Sequence, residues 1–498
     1  MNGEPRENRA AIAALGIALI TGMAADLLLR TAERPGLNLW LLSLVFQLQL
    51  GLLHRRYHTA IPWTSFALLV ASGGFLLSFA WRDAPALNAM SFAAAVTTAG
   101  LAAWVAQGAS LRRSTTMQYV IGVSRSARAA MIGVLPMALA EADWSPFRSA
   151  MGATRVARVG RGMALALPPV IIFGALFAAA DPIFNAFYSR LFDFNPETLV
   201  QHAVIIGAVF WVVGGFLRDM VIPGVYQSTT PIVSGGRMSF TEMMIVLGAV
   251  SLTFLLFVTI QLRALFGGDA FVLAETGLTY AEYARQGFFH MAWAAALVLP
   301  LLLFLDWMGR RDDARAESSF RALATLLLGL LGLVLLSAVH RMRVYQASYG
   351  LTELRVYTVA FMAWLGPVLA WFGLTVLAGR RERFMPGMLS LGFLAILVLH
   401  LVNPDQLIMR TNLERASRGQ GFDIQHAVTL SDDAMPALAG ALASLPLGDQ
   451  CVAVTRMLRR EDGDWRSWNF SRARMQRVAK ELDSTVERLQ SICPKTTS

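Results

Sequence analysis

Charged residues are scarce in this chain. Only 15% of its 498 residues are Asp, Glu, Lys or Arg, and 55% are hydrophobic. An ordinary soluble domain has about 25% charged residues. A soluble fold of this composition could not cover its surface with polar groups, whereas a lipid bilayer solvates apolar side chains directly. The composition therefore excludes an ordinary soluble protein and predicts an integral membrane protein.

Cysteine is almost absent as well. The two cysteines, Cys451 and Cys493, both lie in the polar C-terminal part of the chain. Two cysteines cannot form a multi-bridge framework or a four-ligand zinc site. They can form one disulfide if that part of the chain faces an oxidising compartment. The alternative is a pair of reduced thiols inside a helical core.

Standard catalytic signatures are missing too. The sequence contains no Walker loop, no dinucleotide fingerprint, no His-Glu-x-x-His and no Gly-x-Ser-x-Gly. It therefore assigns no catalytic residue, no metal and no cofactor, and it leaves open whether the protein is an enzyme. The net charge of +10 falls in short loops between apolar runs, which argues against a basic groove for nucleic acid.

Long apolar runs are what the sequence does contain. They are far longer than strands and do not alternate, so each one predicts a membrane-spanning helix. The predicted fold is an all-α polytopic transmembrane helical bundle with about eleven spans. Three short runs leave that count open by one or two. The runs lie at 10–29, 37–53, 60–81, 86–108, 163–181, 200–217, 242–262, 288–307, 320–340, 355–378 and 385–402.

Arginine is concentrated in alternate connections between these runs. If the N-terminus is cytoplasmic, the basic connections at 54–56, 109–162 and 310–315 all lie inside, as the positive-inside rule requires. One outer connection, at 341–355, carries three arginines and breaks the pattern. The bias predicts a cytoplasmic N-terminus and, after eleven spans, an extracytoplasmic C-terminus. Both cysteines then face the oxidising side.

Composition divides the chain into four parts. They are N-terminal transmembrane helices (1–108), a basic cytoplasmic segment (109–162), the main transmembrane bundle (163–402) and a small soluble helical domain (403–498), predicted to be extracytoplasmic. Within the second part, residues 117–140 mix apolar and basic side chains. This mixture is typical of a helix lying in the inner interface near anionic lipid headgroups. A weak twelfth span is the alternative.

The soluble part shows two signals for helix starts. Ser431 followed by Asp432 and Asp433 is a favourable start, because a Ser side chain caps free N–H groups and carboxylates suit the helix dipole. Ser471 is predicted to cap the last helix. We therefore expect residues 403–498 to form several short helices, and we interpret the two aspartates as capping residues rather than as a metal site.

A candidate site lies on the predicted outer side. Arginines there can bind a phosphate or carboxylate, tyrosines can position a sugar or lipid headgroup, and a glutamate can neutralise one arginine. Acidic residues beside a span usually face a partner or a water-filled cavity. The alternatives are an interfacial anchor and structural ion pairing. The proposed single cluster consists of Asp26, Asp181, Arg341, Arg343, Tyr345, Tyr349, Glu353 and Arg355.

Several short strings carry a resemblance to a known family. The strongest is Tyr-Gly-Leu-Thr-Glu-Leu-Arg at 349–355; the others are at 180–182, 403–405, 430–438 and 468–469, with weaker similarity at 35–38. Together they resemble a family of bacterial multi-pass membrane proteins known as a domain of unknown function of the 4173 type. The resemblance implies a bacterial cytoplasmic membrane, and it implies no activity.

Three classes of function remain. The first is a non-enzymatic envelope sensor, scaffold or assembly factor, whose partners are the bilayer, anionic lipid headgroups or periplasmic proteins. The second is a transporter or permease for an anionic or lipid-linked substrate, favoured by Pro168-Pro169 and Pro300 within spans but not by any internal repeat. The third is a membrane enzyme acting on lipid-linked sugar or phosphate, which needs convergent carboxylates. The missing motifs favour the first.

Overall fold

Long apolar helices dominate the computed structural model. Within the part of the chain that it describes, the secondary structure is helical and contains no β-strand, so the all-α prediction is confirmed. The described residues are 4–32, 34–57, 59, 61–144, scattered positions from 159 to 184, 196–222, 238–276, 280–309, 314–458 and 464–493.

Ten helices in this part are long and apolar enough to cross a membrane, or eleven if one bent pair counts as a span. They coincide with ten of the eleven predicted runs, which confirms a multi-pass membrane protein; the fifth run, 163–181, lies largely outside the described residues. In chain order the bundle contains α1 (Glu4–Leu29), α2 (Leu37–Tyr57), α3 (Trp63–Trp81), α4 (Pro85–Ala106), α5 (Thr116–Ile132), α6 (Val134–Glu141), α7 (Pro196–Val221), α8 (Phe240–Thr276), α9 (Tyr280–Met308), α10 (Ala314–Tyr349), α11 (Glu353–Phe372) and α12 (Phe384–Val402).

Helix α10 is longer than a bilayer requires. Its 36 residues extend about 54 Å, against a hydrocarbon core of about 30 Å. The helix ends where Gly350 adopts a left-handed φ of 75°, a conformation that glycine reaches without steric cost. The arginines and tyrosines that follow the apolar run thus continue the same helix beyond the membrane core, in place of the predicted connection.

The C-terminal residues pack as a separate helical layer on one end of the bundle. Their core contains Ile408, Met435, Leu438, Val454 and Leu489, each at most 3% exposed. Cys451 and Cys493 form a disulfide with a Cα–Cα distance of 5.6 Å. The helices of this layer are α13 (Pro404–Ser417), α14 (Ile424–Ala427), α15 (Met435–Ala441), α16 (Leu447–Leu458), α17 (Phe470–Glu481) and α18 (Asp483–Ile492).

We call residues 403–498 the tail, and the end of the bundle beneath it the tail end. The tail contacts the connections that follow α1, α3 and α10 through hydrogen bonds of Leu37, Arg82 and Leu351, and it begins at Asn403 directly after α12. These three connections and the end of α12 therefore lie at one end of the bundle, as an antiparallel path through the spans requires.

The bent pair α5–α6 lies near the opposite end. Its two helices meet at 54°. Ser126 of α5 donates to Asp219 in the last turn of α7, at 3.1 Å. Glu141 of α6 accepts from the neighbouring Arg218, at 2.8 and 3.0 Å. Both arms of the pair therefore approach the same turn of α7, and Trp211 contacts the carbonyl of Met131 between them.

Two predicted helix caps are wrong. The residue before α15 is Ala434, and no side chain caps that helix; Asp432 and Asp433 instead bind arginines. Helix α17 is capped by Asn469, which accepts from the backbone N–H groups of Ser471 and Arg472 at 2.9 and 3.1 Å. These side chains bind distant partners instead of local N–H groups, because a charged or buried donor stabilises a buried carboxylate or hydroxyl more than the N–H group of a helix start does.

Candidate functional site

The predicted tyrosine–arginine segment forms a closed local arrangement. Arg355 lies over the ring of Tyr345 at 4.1 Å and donates to its hydroxyl at 2.9 Å. It also donates to the carbonyl of Tyr349 at 3.0 Å, and the two tyrosine rings lie 5.2 Å apart. These contacts connect the end of α10 to the start of α11, so they fix the turn between the two helices.

The other predicted residues of this segment have different surroundings. Arg341 is buried and donates to Gln261 of α8, whereas Arg343 is exposed. Glu353 is half-buried and lies close enough to Asp405 of the tail to interact with it electrostatically. Among these three, Glu353 is the residue that the structure places next to the tail.

The two predicted aspartates are placed against other partners. Asp26 lies 2.6 Å from the Nδ1 atom of His202 on α7 and 3.9 Å from Arg30. Asp181 is exposed and accepts from the N–H group of Ile183 at 2.7 Å, within its own turn. The contacts of Asp26 and Asp181 thus differ from those of Arg341 and Arg355, and the eight residues are distributed over several neighbourhoods.

A different polar cluster connects the tail to the bundle, and Asp433 is at its centre. Its side chain is fully buried. It accepts from the Arg82 guanidinium at 3.1 Å, the Asp83 N–H group at 2.7 Å, the Ser471 hydroxyl at 2.5 Å and the Asn403 amide at 3.3 Å. Donors from the α3–α4 connection, the end of α12 and helix α17 therefore converge on one carboxylate.

Arg82 extends this cluster to the end of α12. Its Nε and Nη2 atoms donate to the carbonyl of His400 at 3.0 and 2.7 Å. The last carbonyls of a helix have no partner within the helix, and a cation suits the negative end of the helix dipole. Trp81 stacks on the His400 ring at 5.7 Å, and Ser91 hydrogen-bonds the Nε2 atom of that ring at 2.8 Å.

Two further carboxylates in the cluster are protonated more easily than usual. Burial raises the pKa of Asp83 to about 6, against the opposing effect of Arg472. Burial also raises the pKa of Asp405, although hydrogen bonds from the Ser431 hydroxyl and N–H group act in the other direction. The cluster therefore contains carboxyl groups that lose their proton at a higher pH than an ordinary aspartate does.

Backbone contacts surround the cluster. The N–H group of Leu37 donates to the carbonyl of Trp468 at 3.0 Å. The Asn469 amide donates to the carbonyls of Phe79 and Arg82 at 2.7 and 2.9 Å. A Cβ atom on Gly36 would lie only 2.6 Å from the nearest tail carbonyl, so a glycine is required for this approach.

We call this interface the tail joint. The sequence contained one signal for it, because the strings at 35–38, 403–405, 430–438 and 468–469 that carry the family resemblance all meet here. The sequence reasoning nevertheless missed Arg82 and interpreted Asp433 as a cap. The tail joint consists of Gly36, Leu37, Arg82, Asp83, His400, Asn403, Asp405, Ser431, Asp433, Trp468, Asn469 and Ser471.

The contacts of the tail joint hold the tail on the bundle. Asp433 is neutralised by Arg82 and saturated with donors. Among the described residues, no group of three or more His, Cys, Asp or Glu side chains is placed to hold a metal ion. What the arrangement does chemically is to hold two parts of the chain together through buried charges whose removal is costly.

Comparison with known proteins gives one match. A family model described as a domain of unknown function, DUF4153, matches residues 69–441. The expectation of a domain of unknown function is thereby confirmed, but the 4173 number was wrong. The match includes Arg82, His400, Asp405 and Asp433 of the tail joint. No curated protein and no solved structure matches the chain.

Proposed function

Since the chain belongs to the DUF4153 family, for which no activity is described, we propose that it is a multi-pass scaffold protein of the bacterial cytoplasmic membrane. The proposal assigns no catalytic role to the tail. The tail lies on the extracytoplasmic side, where it presents a binding surface to envelope proteins. The observation that carries the proposal is the buried carboxylate of Asp433, which fixes the tail on the bundle.

A fixed tail is the feature that supports a scaffold. A domain tethered by a linker alone would not bury an ion pair against the bundle, because desolvating both charges requires well-satisfied geometry. Here the Arg82–Asp433 pair is 11% and 0% exposed at its side chains. The tail surface consequently keeps one orientation relative to the membrane, which is what an assembly platform requires.

Aromatic side chains support the same placement. Trp465, Trp468 and Phe470 of the tail are 63%, 46% and 40% exposed, next to the end of the bundle. Tryptophan is enriched at the membrane–water interface, because its ring is amphipathic. We infer that this edge of the tail contacts lipid headgroups, while the remaining surface faces the aqueous compartment.

Two independent observations support the extracytoplasmic side. Arginine is concentrated in the connections that lie away from the tail end, such as 54–56 and 380–383, which favours the cytoplasm for that end. A disulfide such as Cys451–Cys493 is typical of an oxidising compartment. Both support a periplasmic tail.

Thiol labelling tests on which side of the membrane the tail lies. Intact cells are treated with a membrane-impermeant thiol reagent before and after reduction, and we expect Cys451 and Cys493 to be labelled only after reduction. A cysteine-free variant carrying Ser110→Cys, on the exposed connection after α4, provides the cytoplasmic control and should be labelled only after the membrane is opened. The same result for the native cysteines would contradict the proposed orientation.

Crosslinking in living cells tests the scaffold role. A photoreactive amino acid is placed at Glu414, Leu447 or Ile492, which are exposed on the tail. We expect discrete protein adducts at one or more positions, and we expect Asp433→Asn to reduce them at unchanged protein abundance. Absence of adducts at all three sites, or adducts that do not depend on Asp433, would remove the support for a fixed platform.

A further inference from the structure

A cavity of about 700 Å³ lies at the end of the bundle opposite the tail. One wall is formed by the ends of α4 and α7 together with α5, and the other by the end of α9 and the connection between α11 and α12. The volume is within the usual range of small-ligand sites, which is roughly 300–1,000 Å³. Trp104, Gln107, Arg125 and Asp219 lie on the first wall, and Asp306 and Arg381 lie on the second.

Two residues that line this wall each have a buried acceptor oxygen with no donor among the described residues. Asp219 is only 4% exposed; its Oδ2 atom accepts from Ser126 at 3.1 Å, while its Oδ1 atom has no hydrogen-bond partner among the described residues. The Gln107 amide nitrogen donates to the carbonyl of Asp219, and its Oε1 atom is likewise without a partner in the described part of the chain. Buried polar atoms are nearly always satisfied, so these two call for a ligand that brings N–H or O–H donors.

The wall also carries charges of both signs. Arg125 interacts electrostatically with Asp219 on one side of the cavity. Arg381 pairs with Asp306 at 3.0 Å on the other side. Two guanidinium groups and two carboxylates complement a ligand that has both a cationic and an anionic group.

The position of the cavity narrows the class of ligand. It lies where four spanning helices end and where Trp104 and Trp307 line the wall, which is the level of lipid headgroups in a bilayer. We propose that this cavity binds the headgroup of a zwitterionic phospholipid with a primary amine, a phosphoethanolamine. Its ammonium group has three N–H donors, which suit Asp219 Oδ1 and Gln107 Oε1, and its phosphate faces Arg125.

A lipid whose amine is fully methylated provides a matched control for the ethanolamine lipid. A phosphocholine lipid has the same charges and acyl chains but no N–H donor, so it leaves both oxygens unsatisfied. The full chain is purified in detergent, stripped of lipid and titrated with each lipid, and binding is measured by native mass spectrometry. We expect the ethanolamine lipid to bind at least about tenfold more tightly than the choline lipid, because hydrogen bonds to a charged group are at stake.

Two variants locate the site. Asp219→Asn should reduce the preference for the amine, because the ammonium group loses its charged acceptor, whereas Asp26→Asn, the same change in a spanning helix at the tail end, should leave it intact. Equal affinity of the unaltered protein for both lipids overturns the proposal whether or not a variant folds. So does a preference that is undiminished in Asp219→Asn.

A soluble headgroup compound distinguishes a membrane lipid from a soluble phosphoethanolamine as the ligand of the cavity. Glycerophosphoethanolamine, which lacks acyl chains, is added as a competitor of the bound lipid. Failure to displace the lipid at a large excess assigns the site to membrane lipid, as we expect. Displacement at a concentration comparable to that of the lipid would mean that the cavity recognises the headgroup without acyl chains. The ligand would then be a soluble compound with the same headgroup, and the proposal of a membrane lipid would be overturned.

Discussion

Replacing Asp433 by asparagine should release the tail from the bundle. Four donors converge on the two oxygens of this buried carboxylate, and an amide offers one oxygen in the same space. At least one donor then faces the amide nitrogen, and Arg82 loses its buried counter-charge, although it still donates to the carbonyl of His400. Removing one member of a buried ion pair costs about 3–5 kcal/mol. Because asparagine retains one acceptor, we expect about 3 kcal/mol for Asp433→Asn.

Hydrogen exchange at one backbone amide measures this loss. The N–H group of Leu37 in the bundle donates to the carbonyl of Trp468 in the tail, so its protection reports docking. A loss of about 3 kcal/mol corresponds to exchange on the order of 10²-fold faster, if opening of the joint limits exchange. An increase below about fivefold at Leu37 would refute the energetic role of the buried carboxylate.

The neighbouring aspartate is the matched control. Asp432 pairs with Arg456 at 2.6 Å, so Asp432→Asn changes the same chemical group in an ion pair that lies within the tail. We expect protection of the Leu37 amide to be unchanged. A double variant, Arg82→Gln with Asp433→Asn, should cost less than the sum of its single changes, because the two side chains share one interaction.

Further predictions concern the same region. Reduction of the Cys451–Cys493 disulfide, which closes a loop of 42 residues, should destabilise the tail by about 2–4 kcal/mol, measured by its thermal unfolding in detergent; an unchanged midpoint would contradict it. Burial raises the pKa of Asp83 from 3.8 to about 6, so the folded protein binds more protons between these values and stability should fall as pH rises through that window, by up to about 3 kcal/mol. Asp83→Asn should flatten this dependence, and a slope that survives the change would point to another group. Gly36→Ala places a Cβ 2.6 Å from a tail carbonyl and should weaken docking, whereas Gly51→Ala, with open space around it, should be neutral or stabilising in detergent melts.

The spanning helices were predictable because their cause is local. A run such as 10–29 or 385–402 is apolar enough by itself to partition into lipid, and in lipid only a helix satisfies the backbone. The matching helices end within a few residues of the predicted runs. Where the prediction deviated, as at 340–349, the helix continued past the apolar run, because the end of an apolar run does not terminate a helix, whereas a residue such as Gly350 does.

The contacts of the tail joint were not predictable from the pattern of residues along the sequence. Arg82 and Asp433 are separated by 351 residues, and neither has an unusual neighbour in the chain. Arg82 reads as an ordinary charge at the end of a span, and Asp433 reads as a helix start. Only the meeting of the α3–α4 connection with the tail makes them partners.

Composition and the order of apolar runs by themselves determined that this chain is a helical membrane protein with many spans and a polar C-terminal layer, since hydrophobic partitioning acts on each segment separately. The tertiary structure decided which polar residues are buried, because a side chain such as Asp433 acquires its partners only when distant segments pack together. It also brought Asp219 of α7 and Arg381 of the connection between α11 and α12 to one cavity. Burial and pairing are properties of that packing, and they are what give these residues their roles.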